Sequence, residues 1–136
     1  MPAGYSGRTL AAKLGLKPGQ KAWQGGMPPS VAAEIEEALP GYRYADAPEE
    51  GLDVAHVFTA SREELKRELA RLRPLLAPAG MIWVSWPKKA SRVPTDLSED
   101  MVRELAFPLG LVDVKVCAVD DIWSGLKLVI RKALRA

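Results

Sequence analysis

Two short runs of almost uninterrupted apolar residues, Val54 to Thr59 and Met81 to Trp86, constrain the fold more than any other feature of this chain. A strand with one wet face alternates apolar and polar residues, whereas a run that is apolar throughout needs cover on both faces. Interior strands of a parallel sheet meet that condition. Between the two runs lies the clearest helix pattern. Ser61 and Glu64 make a capping box, Leu65, Leu69, Leu72 and Leu76 recur at helical spacing, and Glu63 and Arg67 stand as an outward i, i+4 pair. Pro78 and Gly80 close the helix before the second run. Strand, helix and strand in that order predict a parallel pair joined by a right-handed crossover.

The alternation continues in both directions. Ser6 suits the cap of a short helix through Leu10 and Leu14, and Lys21 to Gln24 reads as a strand. Ser30 is the expected N-cap of a helix whose inner face holds Val31, Ile35, Ala38 and Leu39. Tyr42 to Ala45 reads as a second short strand, followed by an acidic loop from Asp46 to Gly51. A helix beginning near Asp96 or Ser98 turns Val102, Leu105 and Leu109 inward, and Pro108 and Gly110 break it. Val112 to Val119 and Leu126 to Ile130 then read as an antiparallel pair. The expectation is an α/β three-layer sandwich with a mostly parallel sheet of about six strands and an antiparallel C-terminal strand. Residues 1–136 form one domain, with 1–20 a helical segment packed on it.

Composition excludes several classes of function. Nineteen basic and 17 acidic residues leave a net charge of +2, so no global field draws the chain to nucleic acid, and none is expected as a partner. Cys117 is the single cysteine and has no ligand neighbours at metal spacing, which points to a reducing compartment and no metal. No apolar stretch has the length of a signal peptide or a spanning helix, so a cytoplasmic protein without membrane contact is expected.

The segment Leu76 to Trp86, preceded by a charged helix and by a strand opening at Asp53 and Val54, resembles the middle of the Rossmann-like methyltransferase fold. Leu128 to Lys132 resembles its closing hairpin, and Leu16 to Gly19 its approach to the first strand. Ala3 to Gly7, Ser85 to Lys89, Val114 to Asp120 and Trp123 to Lys127 also resemble motifs of a family of small bacterial proteins with no assigned activity. The resemblance implies a trimmed methyltransferase-like topology in a bacterial, cytoplasmic protein.

In that fold the first turn carries an acid and then glycines at alternate positions, so that backbone approaches the cofactor. Here Gln24 stands at the acid and Gly26 at the first glycine, but Pro28 and Ser30 replace the other two. The loop before Asp53 is also too short for the strand and two helices that the full skeleton places there. The expectation is therefore no cofactor, with S-adenosylmethionine disfavoured; if it binds, Gly25 and Gly26 would lie against it and Asp46 would bond its ribose.

Trp86, Lys88, Lys89 and Ser91 fall at the carboxyl end of a central strand, where open α/β sheets bind ligands, and two ammonium groups there suit a phosphate or carboxylate. Trp123, Ser124 and Lys127, in the loop before the last strand, are grouped with them. Trp123 would stack on a flat ligand, and Asp120 would pair with Lys88 or Lys127. His56 and Cys117 read as core residues, Asp120 and Asp121 as too divergent for acid/base work, and no catalytic residue is assigned. These residues point to a noncatalytic or degenerate methyltransferase-like protein that binds a small anion or a protein partner. The alternatives are a minimal S-adenosylmethionine-dependent methyltransferase and a regulatory subunit without a small-molecule site.

Overall fold

The computed structural model describes residues 8–135. The expected cap at Ser6 and the Ala3 to Gly7 motif lie outside the described residues. Within them, α1 (Leu10–Lys13) is a single turn whose N-cap Thr9 accepts a hydrogen bond from the Ala12 N–H. β1 (Ala22–Gly25), α2 (Pro29–Ala38), β2 (Leu52–Phe58), α3 (Arg62–Leu72), β3 (Leu76–Pro87), α4 (Glu99–Ala106), β4 (Leu111–Ala118) and β5 (Trp123–Ile130) follow.

The expected caps hold for two helices and shift for a third. Ser61 accepts from the Glu64 N–H and Ser98 from the Met101 N–H. α2 starts two residues early, with Pro28 rather than Ser30 at its N-cap. Pro29 occupies its first turn after Pro28, where the ring presets φ and the missing N–H has no helical partner to lose. α3 also ends sooner than its leucine spacing suggests. Pro74 lies in a 3₁₀ turn from Arg73 to Leu75, and Leu76 opens β3.

The sheet has five strands in the order β1-β2-β3-β5-β4. Pairs β1/β2 and β2/β3 are parallel, and pairs β3/β5 and β4/β5 are antiparallel. This corrects the expected six, mostly parallel strands in two respects. First, Tyr42 to Ala45 makes no ladder. Ala45 donates to the Ala22 carbonyl at 2.7 Å, while Tyr42 and Tyr44 turn their rings against the α2 side of the core, 5.3 Å apart edge to face. Second, the closing hairpin inserts β5 between β3 and β4, so its strands add antiparallel rungs on both sides of β5.

Helices cover both faces. Leu65, Leu69 and Leu72 of α3 and Val102 and Ala106 of α4 pack on Ala55, Val57, Ile82, Val84, Leu126 and Leu128. Leu10 of α1, its C-cap Leu14, and Val31 and Ile35 of α2 pack on Val54, Phe58, Met81 and Trp83. Trp83 is fully enclosed and donates its indole N–H to the Leu14 carbonyl at 2.9 Å, tying α1 to the sheet. β4 carries a bulge between Asp113 and Lys115. Across it the side chains part: Asp113 accepts from Arg103 of α4, and Lys115 donates to the Lys13 carbonyl of α1. No helix among the described residues is long and apolar enough to cross a membrane.

Candidate functional site

The carboxyl edge of the parallel strands is built by short-range polar contacts. β1 runs into Gly26, whose φ of 77° lies in the left-handed region, and a Cβ there would sit 2.6 Å from the Phe58 carbonyl oxygen. Only glycine fits this turn without strain. Gln24 accepts from the Met27 N–H at 3.0 Å and holds the turn from below. At the end of β2, Thr59 accepts from the Ser61 N–H, and Ala60 accepts from both the Thr95 hydroxyl and the Asp96 N–H. Asp96 in turn accepts from the Arg62 N–H at 2.7 Å. The loop after β3 therefore clamps the first turn of α3.

Beside this edge, β1, the end of β2 and one face of α3 enclose a cleft of about 360 Å³. Trp23, Gly25, Gly26 and Phe58 form its floor and back. Glu64, Arg67, Glu68 and Arg71, spaced three and four residues apart on α3, form the opposite wall. The lower half of that wall is already engaged. Arg71 donates to Glu68 at 2.6 Å and lies 5.0 Å over the Trp23 ring, a cation–π contact. The Trp23 ring bends under Gly25, where a Cβ would stand 2.7 Å from it.

The opposite face of the same edge is sealed. His56 is 1 % exposed, its Nε2 lies 2.8 Å from Ser85 Oγ, and its ring stacks on Phe58 at 4.2 Å. Burial pushes the His56 pKa down to about 3, so the imidazole is neutral at physiological pH. Trp123 meets Phe58 edge to face at 5.3 Å. Burial raises the Cys117 thiol above its ordinary value against the pull of Lys13 and Lys115.

The residues grouped from sequence occupy three places. Trp86 packs in the core under α3 and α4, while Trp123 lies in the cluster under α1 and α2. Their strands pair Pro87 with Trp123 and Trp86 with Ser124, so the two indoles stand on opposite faces. Lys88 and Lys89 follow β3 at the carboxyl edge, where the Lys88 N–H donates to the Ile122 carbonyl and Ser91 Oγ donates to the Lys88 carbonyl. Lys127 is elsewhere. It lines a cleft of about 420 Å³ with Lys17, Gln20 and Asp53, at the amino ends of β2 and β3. Asp120 pairs with neither lysine, because its carboxylate accepts from the Ile122 and Trp123 N–H groups and closes the hairpin turn. Asp46 is exposed and follows Ala45, which bonds at the amino end of β1, away from the Gly25–Gly26 turn.

The sequence reads Glu64 as part of a capping box and Arg67 as half of a surface pair, and assigns neither to a site. Their signal was a charged stripe on an amphipathic helix, which usually means a solvated face. The expected pair of Glu63 with Arg67 is replaced in the structure by the Glu68–Arg71 pair lower on the same helix.

No family model and no curated protein matches this chain by sequence. Solved structures do match. The chain is similar to a SAM-dependent methyltransferase from Aquifex aeolicus, with a TM-score of 0.65 at 16 % identity over 89 % of this chain and 87 % of that one. Aeropyrum pernix fibrillarin in complex with natively bound S-adenosyl-L-methionine gives 0.54 at 16 % identity, over 88 % of this chain and 73 % of that one. The LepI complex with SAM gives 0.56 at 13 % identity, over 90 % of this chain. This chain spans 39 % of LepI. At these identities the likeness shows the fold, which is methyltransferase-like. It also corrects the expectation of a cofactor-free protein, because matching structures carry S-adenosylmethionine on this framework.

Proposed function

We propose that this chain binds S-adenosylmethionine in the cleft between β1, β2 and α3 and acts as a small methyltransferase. The observation that carries the reading is the exposed Gly26 turn at the carboxyl edge, beside a cleft floored by Trp23 and walled by the charges of α3. The residues fit the cofactor. A left-handed glycine leaves main chain accessible, Trp23 and Val57 line the floor, and Glu64 and Arg67 offer an acceptor and donors. A volume of about 360 Å³ suits the adenosyl portion, leaving the reactive end toward the carboxyl edge.

When bound, S-adenosylmethionine supplies an electrophilic methyl group. The chain's own contribution is to bind and orient. Exposed Gly26 leaves room for the ligand, and the bonds of Ser61 to Thr59, of Thr95 to Ala60 and of Arg62 to Asp96 hold α3 at a fixed distance from it. Lys88 and Lys89, at the end of β3, are placed to attract an anionic acceptor substrate. His56, sealed and neutral, takes no proton from it.

One observation favours a second reading, a protein that binds the cofactor without transferring its methyl group. Pro28 and Pro29 withdraw two N–H groups from the turn that faces the ligand. Calorimetric titration with S-adenosylmethionine and S-adenosylhomocysteine tests the shared premise. Binding of either in the micromolar range, about −8 kcal/mol, supports it, and no heat at about 1 mM of both refutes it. Transfer of a labelled methyl group from S-adenosylmethionine to an extract then separates the two readings.

A further inference from the structure

We infer that the cleft at the amino ends of β2 and β3, opposite the edge proposed for the cofactor, is a site for a free amino acid, with Lys17 and Lys127 taking its carboxylate and Asp53 its ammonium. The cleft holds about 420 Å³. Its rim is a braced loop. Gly15 and Gly19 turn it at φ of 72° and 84°, and the Gln20 side chain ties both ends, donating from Nε2 to the Gly15 carbonyl at 3.3 Å and accepting at Oε1 from the Lys17 N–H at 3.0 Å. The Tyr42 hydroxyl donates to the same Oε1 at 2.8 Å. This loop carries Lys17 to the cleft from the end of α1, and Lys127 reaches it from β5.

Both ammonium groups are unengaged. Among the described residues neither the Lys17 nor the Lys127 side chain forms a hydrogen bond or an ion pair, although both line the cleft. Lys127 is half-buried, and its partner in register across the β4/β5 ladder is Lys115, on the same face of the sheet. Like charges directly opposite each other destabilise a sheet. Lys115 finds an acceptor in the Lys13 carbonyl, at 3.0 Å, and Lys127 finds none. A half-buried ammonium beside a like charge carries a desolvation cost that an anion in the cleft offsets. The remaining charged group in the cleft has the opposite sign. Asp53 Oδ2 accepts from the Lys21 N–H at 2.8 Å, and among the described residues Oδ1 is left to accept from a ligand. Two cations and a separate anion, none paired with another, complement a molecule that carries both a carboxylate and an ammonium. An inorganic anion satisfies only the first half of that set. Ala79, exposed, and Val129, half-buried, border the same cleft and give a small aliphatic side chain an apolar surface.

Calorimetry on the whole chain with L-leucine, N-acetyl-L-leucine and L-leucinamide tests this, because the second compound lacks the ammonium and the third the carboxylate. L-leucine is expected to bind at least about tenfold more tightly than either, the scale of one charge-assisted hydrogen bond. Lys127→Gln and Asp53→Asn are each expected to weaken L-leucine about tenfold, with Lys66→Gln, exposed on α3 and outside the cleft, within about twofold of wild type. No heat with L-leucine at about 10 mM overturns the inference, as does equal binding of the three compounds, or binding of inorganic phosphate in place of L-leucine. Saturating S-adenosylmethionine should leave the affinity for L-leucine unchanged, since the two clefts lie at opposite ends of β2, and competition between the ligands would overturn the placement. The comparison of the three compounds on the wild type does not depend on any variant folding, and its outcome is separate from whether the cofactor binds.

Discussion

Acidification should destabilise this protein through one side chain. His56 is the only histidine, it is 1 % exposed, and burial lowers its pKa from an ordinary 6.5 to about 3. Below pH 6.5 the unfolded chain takes up a proton that the native state refuses, so the unfolded state binds more protons and stability falls as pH falls. The loss begins near pH 6.5 and continues to about pH 3, where the native imidazole also protonates. Integrated between pH 7 and pH 5, this amounts to about 2 kcal/mol, a large share of the stability of a domain this size. Glu34 works with the opposite sign. Burial foremost, and then Asp120, raises its pKa, so its native form gains stability as pH falls. Urea unfolding followed by tryptophan fluorescence at half-unit steps from pH 7.5 to pH 5 measures the slope, and His56→Gln removes only the imidazole contribution. The variant should unfold more easily at pH 7 yet lose about 2 kcal/mol less on acidification. Identical slopes in wild type and variant would refute the assignment of the loss to His56.

Two further substitutions probe the framework. Gly26→Ala places a Cβ at a positive φ and 2.6 Å from the Phe58 carbonyl, and should cost about 2–3 kcal/mol in urea unfolding and abolish S-adenosylhomocysteine binding; a stable variant that binds normally would contradict the close-approach argument. Trp83→Phe leaves the buried Leu14 carbonyl without its donor, and should cost about 1–3 kcal/mol and raise amide exchange at α1 before the rest of the chain; uniform exchange would show that the indole bond does not anchor α1.

The elements legible in the sequence are those whose signal is local. Ser61 and Ser98 cap helices because a hydroxyl three residues before an N–H needs no distant partner. The runs around Val57 and Val84 became central strands because continuous apolar character has few other uses at that length. Tyr42 to Ala45 misled because alternation of Tyr42 and Tyr44 describes inward-turned rings as well as a strand, and only a partner ladder separates the two. Trp86 and Trp123 were grouped because they lie near one edge. Their faces depend on cross-strand register, which pairs Trp86 with Ser124 and is written in no single segment. The cleft was hidden for a related reason. Glu64 looks like any helical surface glutamate until the missing strand leaves it facing Gly25 and Gly26.

The bulge in β4 has a consequence for how the protein behaves at high concentration. β4 is an outer strand, with Val114 and Val116 exposed and backbone groups directed outward, and such a border invites another chain to add to the sheet. The extra residue between Asp113 and Lys115 breaks the regular spacing a newcomer would need. The charges that diverge from it, held by Arg103 and by α1, keep that spacing broken. A border that offers valines but no continuous register gives an added strand a broken ladder to pair with.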